Sequence, residues 1–288
     1  MIPGDAVLAT LPPGTQLTQE QYQTRRHQLG LDKPVPVQYA IWLGGVVKGN
    51  FGDSTQSRRP VADELKQRLP VTLQVGLFAL IFSLLIAIPA GVASAVWRNS
   101  KVDRVVTFVS VAGLAIPDFW LALMLILLFS LKLKWLDPVG YASILSDPVT
   151  ALRLAIMPTF VLGWGVAAVI ARQTRSSMLE VLHQDYVRTA RAKGLHESRV
   201  IWLHALRNAM LPVITIIGLI FGRILAGAVI VETVFAIPGM GRLLVDSINF
   251  RDFRTVQAIV VIIALTVVAA NLVTDVAYTW LDPRIHYQ

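Results

Sequence analysis

The stretch Glu180–Pro212, EVLHQDYVRTARAKGLHESRVIWLHALRNAMLP, is a charged segment set between two apolar runs. Tyr186 to Lys193 is compatible with a short helix, and Gly194, just beyond it, is the usual left-handed stop. A second helix starts near His196 to Ser198, and along it Trp202, Leu203, Leu206, Ala209, Met210 and Val213 fall on one face at helical spacing. The segment reads as a short helix, a glycine corner and an amphipathic helix that leads into the next apolar run at Pro212. Small residues at Ala190, Ala192 and Gly194 allow another protein's surface to approach the backbone, while Arg188, Arg191 and Lys193 can pair with acids on that surface. An ordinary basic inside loop is the plainer reading, and the residue types alone leave both open.

The surroundings make this a membrane protein. The 288 residues are 55% hydrophobic and 15% charged, against roughly 25% charged in soluble domains. The net charge of +8 does not point to nucleic acid, because the basic residues sit in loops between apolar runs, where orientation in a bilayer accounts for them. With no cysteine there is no disulfide, thiolate nucleophile or thiolate metal site. GxxxxGK[ST], HExxH and GxSxG are all missing, so no metal site, no P-loop and no hydrolase motif is expected. Any ATPase would be another chain.

Five apolar runs approach the 20 residues, at 1.5 Å each, that cross roughly 30 Å of hydrocarbon. They are Val71 to Val96 with Pro89, Val105 to Leu131 interrupted by Pro117 and Asp118, Leu154 to Ala171, Leu211 to Val231 with Arg223, and Val256 to Leu281 with Asp275. The fold class expected is an all-α polytopic membrane protein. Residues 1–70 form a polar extracytoplasmic region, with turns at Pro12-Pro13-Gly14 and Pro34-Val35-Pro36 and short helices around Gln19 to Gln28 and Val37 to Val47. Residues 71–288 form the transmembrane domain, with its cytosolic loop at 173–211.

Orientation follows the lysine and arginine count. Arg98, Lys101, Arg104, Arg172, Arg175, Arg188, Arg191, Lys193, Arg199 and Arg207 lie on one side, against Lys132, Lys134, Arg153, Arg242, Arg251 and Arg254 on the other. Ten against six assigns the organising stretch and the C-terminus to the cytosol and residues 1–70 to the outside. Met1-Ile2-Pro3-Gly4-Asp5 offers neither the basic nor the apolar region of a signal peptide. A further transmembrane helix is therefore expected ahead of Met1.

The run Asp185-Tyr-Val-Arg-Thr-Ala-Arg-Ala-Lys-Gly-Leu195, followed by His204-Ala-Leu-Arg-Asn-Ala-Met-Leu-Pro212, closely resembles the coupling loop of ATP-binding-cassette (ABC) importer permeases of the peptide and nickel branch. Other blocks resemble that branch in the right order. They are Ile2 to Asp5, Leu29 to Pro34, Gly49 to Gly52, Val229 to Phe235, Pro238 to Leu244 and Leu281 to Ile285. Ser57 to Glu64 and Ala95 to Asn99 lean toward its glutathione permeases. The resemblance implies a type I importer permease fold of six transmembrane helices, five of them present here. It implies a non-catalytic half-channel in the bacterial inner membrane that binds no cofactor itself. The partners implied are a second homologous permease subunit, two ATPase subunits carrying ATP-Mg, an extracytoplasmic substrate-binding protein and the lipid membrane. The ATPase-coupling residues carried over are Asp185, Tyr186, Arg188, Thr189, Ala190, Arg191, Ala192, Lys193, Gly194, His204 and Arg207. One departure is local: where the generic importer motif has a Leu-Pro pair twelve residues after its glycine, this chain has Leu206-Arg207, and its proline waits until 212.

Ionisable groups inside spans are costly and mark function. Asp118 and Arg223, with Asn271 and Asp275 four apart on one helix face, are the candidates for the translocation path, each also open to a structural role. Glu232 is expected to meet the outer loop, and Gly218 and Gly222 to serve helix packing. The competing reading is an intramembrane aspartyl-type protease in which Asp118 and Asp275 share a proton; a membrane scaffold without transport is a third.

Overall fold

Among the described residues of the computed structural model, 18–28 and 30–281, every regular element beyond an isolated Asp53–Pro60 bridge is helical. The Pro12-Pro13-Gly14 turn and the blocks Ile2 to Asp5 and Asp282 to Ile285 lie outside these residues, as does Leu29. Two short helices come first, α1 (Gln19–Gln28) and α2 (Val35–Val47), followed by α3 (Val61–Val96) and α4 (Lys101–Ala115). Next are α5 (Asp118–Leu125), which continues into a π-helical turn at Ile126–Lys132, and α6 (Pro148–Val181). The organising stretch folds as α7 (Asp185–Ala192) and α8 (Glu197–Arg199), then runs through a second π-helical turn, Val200–Ala205, into α9 (Leu206–Val234). The last two described helices are α10 (Met240–Asn249) and α11 (Phe253–Leu281). Both short N-terminal helices form, but α2 starts at Val35, inside the turn expected at Pro34-Val35-Pro36, because Pro36 falls in its first turn, where a missing N–H costs no helical bond.

Four helical stretches are long and apolar enough to cross a bilayer, and a fifth span exists only if α4 and α5 with its π-turn count as one, bent by 103°. The single run expected over Val105 to Leu131 is thus two helices. Ile116 precedes a proline, which disfavours helical backbone, and it takes the extended values φ −80 and ψ 123. The remaining spans are longer than their apolar runs; α3 begins at Val61 and passes through Pro70 and Pro89 without breaking. Prolines inside membrane helices are tolerated because neighbouring helices re-satisfy the freed carbonyls.

The core lies between α3, α6 and α9, where Val75, Ala79, Val161, Ile170, Ile224 and Val231 are buried. Small residues set the separations. A Cβ on Gly91 would stand 2.7 Å from the Ala171 carbonyl, and one on Gly163 would stand 3.0 Å from the Ala79 carbonyl, so α3 and α6 meet backbone to backbone. Gly218 likewise brings α9 onto Thr274 of α11, where an added Cβ would lie 2.7 Å from the threonine methyl. Of the expected packing pair, Gly218 makes this close approach, while Gly222 makes only ordinary contact, an added Cβ lying 3.5 Å from Val267. Outside the core, Ser54 Oγ donates to Asp252 Oδ2 at 2.6 Å, tying the loop before α3 to the start of α11.

Candidate functional site

An eight-residue helix is too short to persist alone, so α7 depends on what holds it. Val187 and Ala190, three apart and on one face, are buried against Val200, with Val181 and Leu195 beside them. The tyrosine hydroxyl of Tyr186 accepts a hydrogen bond from Asn208 Nδ2 at 2.8 Å. Arg191 donates with both arms of its guanidinium to Glu197, at 3.2 and 2.7 Å. That bond raises the arginine further above its already high range, and the fork fixes α7 to α8 across the corner.

The corner itself is a Schellman motif. Gly194 N–H donates to the Arg191 carbonyl at 2.9 Å and Leu195 N–H to the Ala190 carbonyl at 3.4 Å. Gly194 has φ +74, a value that glycine adopts without the Cβ penalty. A Cβ there would meet nothing within 4 Å, so the corner faces open space. Asp185 opens α7 where a negative charge is favoured, 3.4 Å from Arg188. Arg188, Thr189, Ala192 and Lys193 are exposed together. They form one outward surface.

Two expectations need correction. Ala190 is buried inside the small core, so of the three small residues only Ala192 and Gly194 can meet another surface. On the second helix the buried positions are Val200, Ile201, Ala205, Ala209 and Val213, while Trp202 and Leu203 are exposed. A π-turn accommodates one extra residue, and the one at Val200–Ala205 rotates the apolar face away from the register that uniform 3.6-residue spacing gives. His204 lies half-buried in that turn, its carbonyl accepting from Asn208 Nδ2 at 3.2 Å, and Arg207 is exposed.

Of the four intramembrane candidates, Asp118 and Arg223 lie within electrostatic reach of each other. Asp118 begins α5 after the bend, and its carboxylate lies 3.7 Å from where a Cβ on Gly227 of α9 would stand. Arg223, one turn earlier on α9, attracts it. Asn271 and Asp275 lie on α11, the first half-buried and the second exposed. An aspartyl mechanism requires a second carboxylate beside the first; the charge that acts on Asp118 here is the Arg223 cation.

Two further polar centres stand out, the first of them missed by the sequence. Asp103, buried at the start of α4, accepts from Arg175 of α6 at 2.7 and 2.9 Å, from the Asn99 N–H at 2.9 Å and from Ser94 of α3. This cross-brace joins three helices at the end of the bundle bearing α7. At the opposite end Glu232 is fully buried. It accepts from Thr72 Oγ at 2.6 Å and from the Gly241 and Arg242 N–H groups at 2.7 and 3.1 Å. Those N–H groups belong to the first turn of α10, where a carboxylate is favoured. Glu232 meets the loop region as expected; Asp103 and Arg175, 72 residues apart, carry no local signal of their pairing.

Comparisons with known proteins agree with one another. The family model described as the binding-protein-dependent transport system inner membrane component matches residues 87–287, and its N-terminal companion matches residues 1–76. The glutathione transport system permease protein GsiC of Escherichia coli (strain K12) is 43% identical over 288 residues, 100% of this chain and 91% of that protein. Its namesake in Salmonella choleraesuis (strain SC-B67) gives the same 43%, 100% and 91%. Among solved structures, the inward-facing MetNI methionine ABC transporter superposes with a TM-score of 0.63 at 18% identity, covering 76% of this chain and 96% of that one. An amino acid ABC transporter solved with histidines gives 0.53 at 13%, covering 77% and 94%. At such identities the structures speak to the fold alone.

Proposed function

Because the chain belongs to the binding-protein-dependent transport system inner membrane components, as an ABC importer permease of the peptide and glutathione type, we propose that it forms half of an ATP-driven path and couples to a separate ATPase through α7. The observation that carries this is the outward surface of α7, a helix held rigid from behind and closed by Gly194 at φ +74. In this reading α7, the 173–211 loop and the C-terminus are cytosolic, and residues 1–70 lie outside. The partners are a second homologous permease subunit, two ATPase subunits that carry ATP-Mg, and an extracytoplasmic substrate-binding protein.

The mechanism follows from how α7 is tethered. Three residues, Leu182 to Gln184, separate α6 from α7, and from Glu197 the chain is helical to Val234. A displacement of α7 by nucleotide-driven closure of the ATPases would therefore move α6 and α9 together, as rigid elements about short connections. The Asp103–Arg175 brace would carry α3 and α4 along with α6.

The substrate class follows the named relatives: glutathione or a short peptide, a solute bearing both amine and carboxylate. Asp118 and Arg223 in the spans offer such a solute one charge of each sign, and Asn271 and Asp275 are assigned to the same path on α11. The test is ATP-driven uptake into proteoliposomes holding this chain with its permease, ATPase and binding-protein partners, for wild type and Arg223→Leu. Wild type takes up substrate only when ATP and the ATPase subunits are present. Arg223→Leu loses about tenfold in preference for carboxylate-bearing over amidated substrate, the size of one modest charge interaction of about 1.4 kcal/mol. Uptake without the ATPase sinks the importer reading, and an unchanged preference returns Arg223 to a structural role.

A further inference from the structure

Between α3, α4 and α6 lies a cleft of about 180 Å³. Its walls are apolar: Phe82, Ile86 and Ala90 on α3, Val105 and Val109 on α4, and Trp164 on α6. Phe82, Ile86 and Ala90 recur every four residues, so the cleft runs along the α3 axis. The same stripes continue toward the end bearing α7, and there they change character. On α4, the row of Val109 and Val105 reaches Lys101 one turn further; on α6, the row of Trp164 and Ala168 reaches Arg172. Lys101, Arg104 and Arg172 are all exposed. The acid nearest in sequence, Asp103, points its carboxylate to Arg175 and Ser94 and is buried. Its charge is spent internally, leaving a net positive rim.

We propose that this cleft binds one anionic phospholipid, an acyl chain between α3, α4 and α6 and the phosphate against Lys101, Arg104 and Arg172. The chemistry fits on both counts. An apolar cleft open toward the hydrocarbon takes a chain, and cations at one end of a membrane cleft hold an anionic headgroup. The length fits as well: from Lys101 to Val109 is eight residues, about 12 Å of helix, which matches a headgroup at the interface with its chain descending alongside. A bound lipid would seat against α4 and α6 beside the Asp103–Arg175 brace, at the end where α7 is attached. It would favour the arrangement in which those helices stay together.

Native mass spectrometry of the full-length chain, titrated with phosphatidylglycerol and phosphatidylcholine of identical acyl chains, tests this. We expect one tight phosphatidylglycerol adduct, favoured at least about tenfold over phosphatidylcholine. Arg104→Gln with Arg172→Gln should remove that preference while keeping residual binding of both lipids, and Ala90→Phe should remove the tight adduct. Ile86→Trp, at a half-exposed position, fills the cleft from its mouth and should act as Ala90→Phe does if the latter fails to fold. Inorganic phosphate in excess should not displace the lipid. Equal binding of the two lipids by the wild type overturns the proposal. So does unaltered binding in a folded filled-cleft variant, or cross-linking of a cysteine placed at Val109 to another subunit in the assembled complex.

Discussion

Gly194→Trp is expected to abolish productive coupling while leaving the chain folded in the membrane. A non-glycine residue at φ +74 costs roughly 1–2 kcal/mol, too little to unfold a bundle of this size. The side chain has nothing of its own protein to strike within 4 Å of its Cβ. It therefore projects outward, onto the surface proposed to meet the ATPase. Uptake in proteoliposomes should fall by at least about tenfold, either because ATPase subunits no longer co-purify or because substrate no longer stimulates hydrolysis. Gly194→Asn, which tolerates the left-handed region, should retain most of the activity. Normal assembly and uptake in Gly194→Trp would contradict the docking of this corner.

The second large effect is on stability. Glu232→Ala strips the acceptor from three donors, Thr72 Oγ and the N–H groups of Gly241 and Arg242. The carboxylate is fully buried, and Thr72 and Gly241 are buried with it, while Arg242 is half-buried. A buried donor left unsatisfied costs about 1–3 kcal/mol, so the loss should reach about 3–5 kcal/mol. At about 2–4 °C for each kcal/mol, the melting temperature in detergent should drop by roughly 10 °C. Glu232→Gln, which keeps an oxygen for the two backbone donors, should lose clearly less. An unchanged melting temperature for the alanine variant would mean that Glu232 does not pin α3 and α9 to α10.

Features set by local period are legible in the sequence, and features set by long-range pairing are not. Apolar length located α3, α6, α9 and α11, because a membrane helix must satisfy its own backbone and announces itself by composition. The corner at Gly194 was legible because its chemistry is local: a glycine, two hydrogen bonds and a leucine, all within six residues. The bend at Pro117 was signalled by the proline but not its size, which depends on how α5 packs on α9. The face of the helix after Gly194 was misplaced because a π-turn at Val200–Ala205 breaks the uniform period that any helical-wheel argument assumes. Asp103 with Arg175, and Glu232 with Thr72, are pairings over 72 and 160 residues. Nothing local distinguishes Asp103 from a loop charge, and Glu232's place at a helix end points to the outer loop but not to Thr72.

The proposed docking of α7 on a cytosolic ATPase is open to a direct test. The chain has no cysteine, so a benzophenone maleimide attached to Lys193→Cys at the exposed end of α7, before the chain is assembled with its partners, reports one position only. In the assembled transporter, ultraviolet light should cross-link Lys193→Cys to the ATPase subunit. The same label on Leu145→Cys, exposed in the loop before α6, should give no such adduct. Adducts from Leu145→Cys to the ATPase, or none from Lys193→Cys in a transporter that still takes up substrate, would contradict the account.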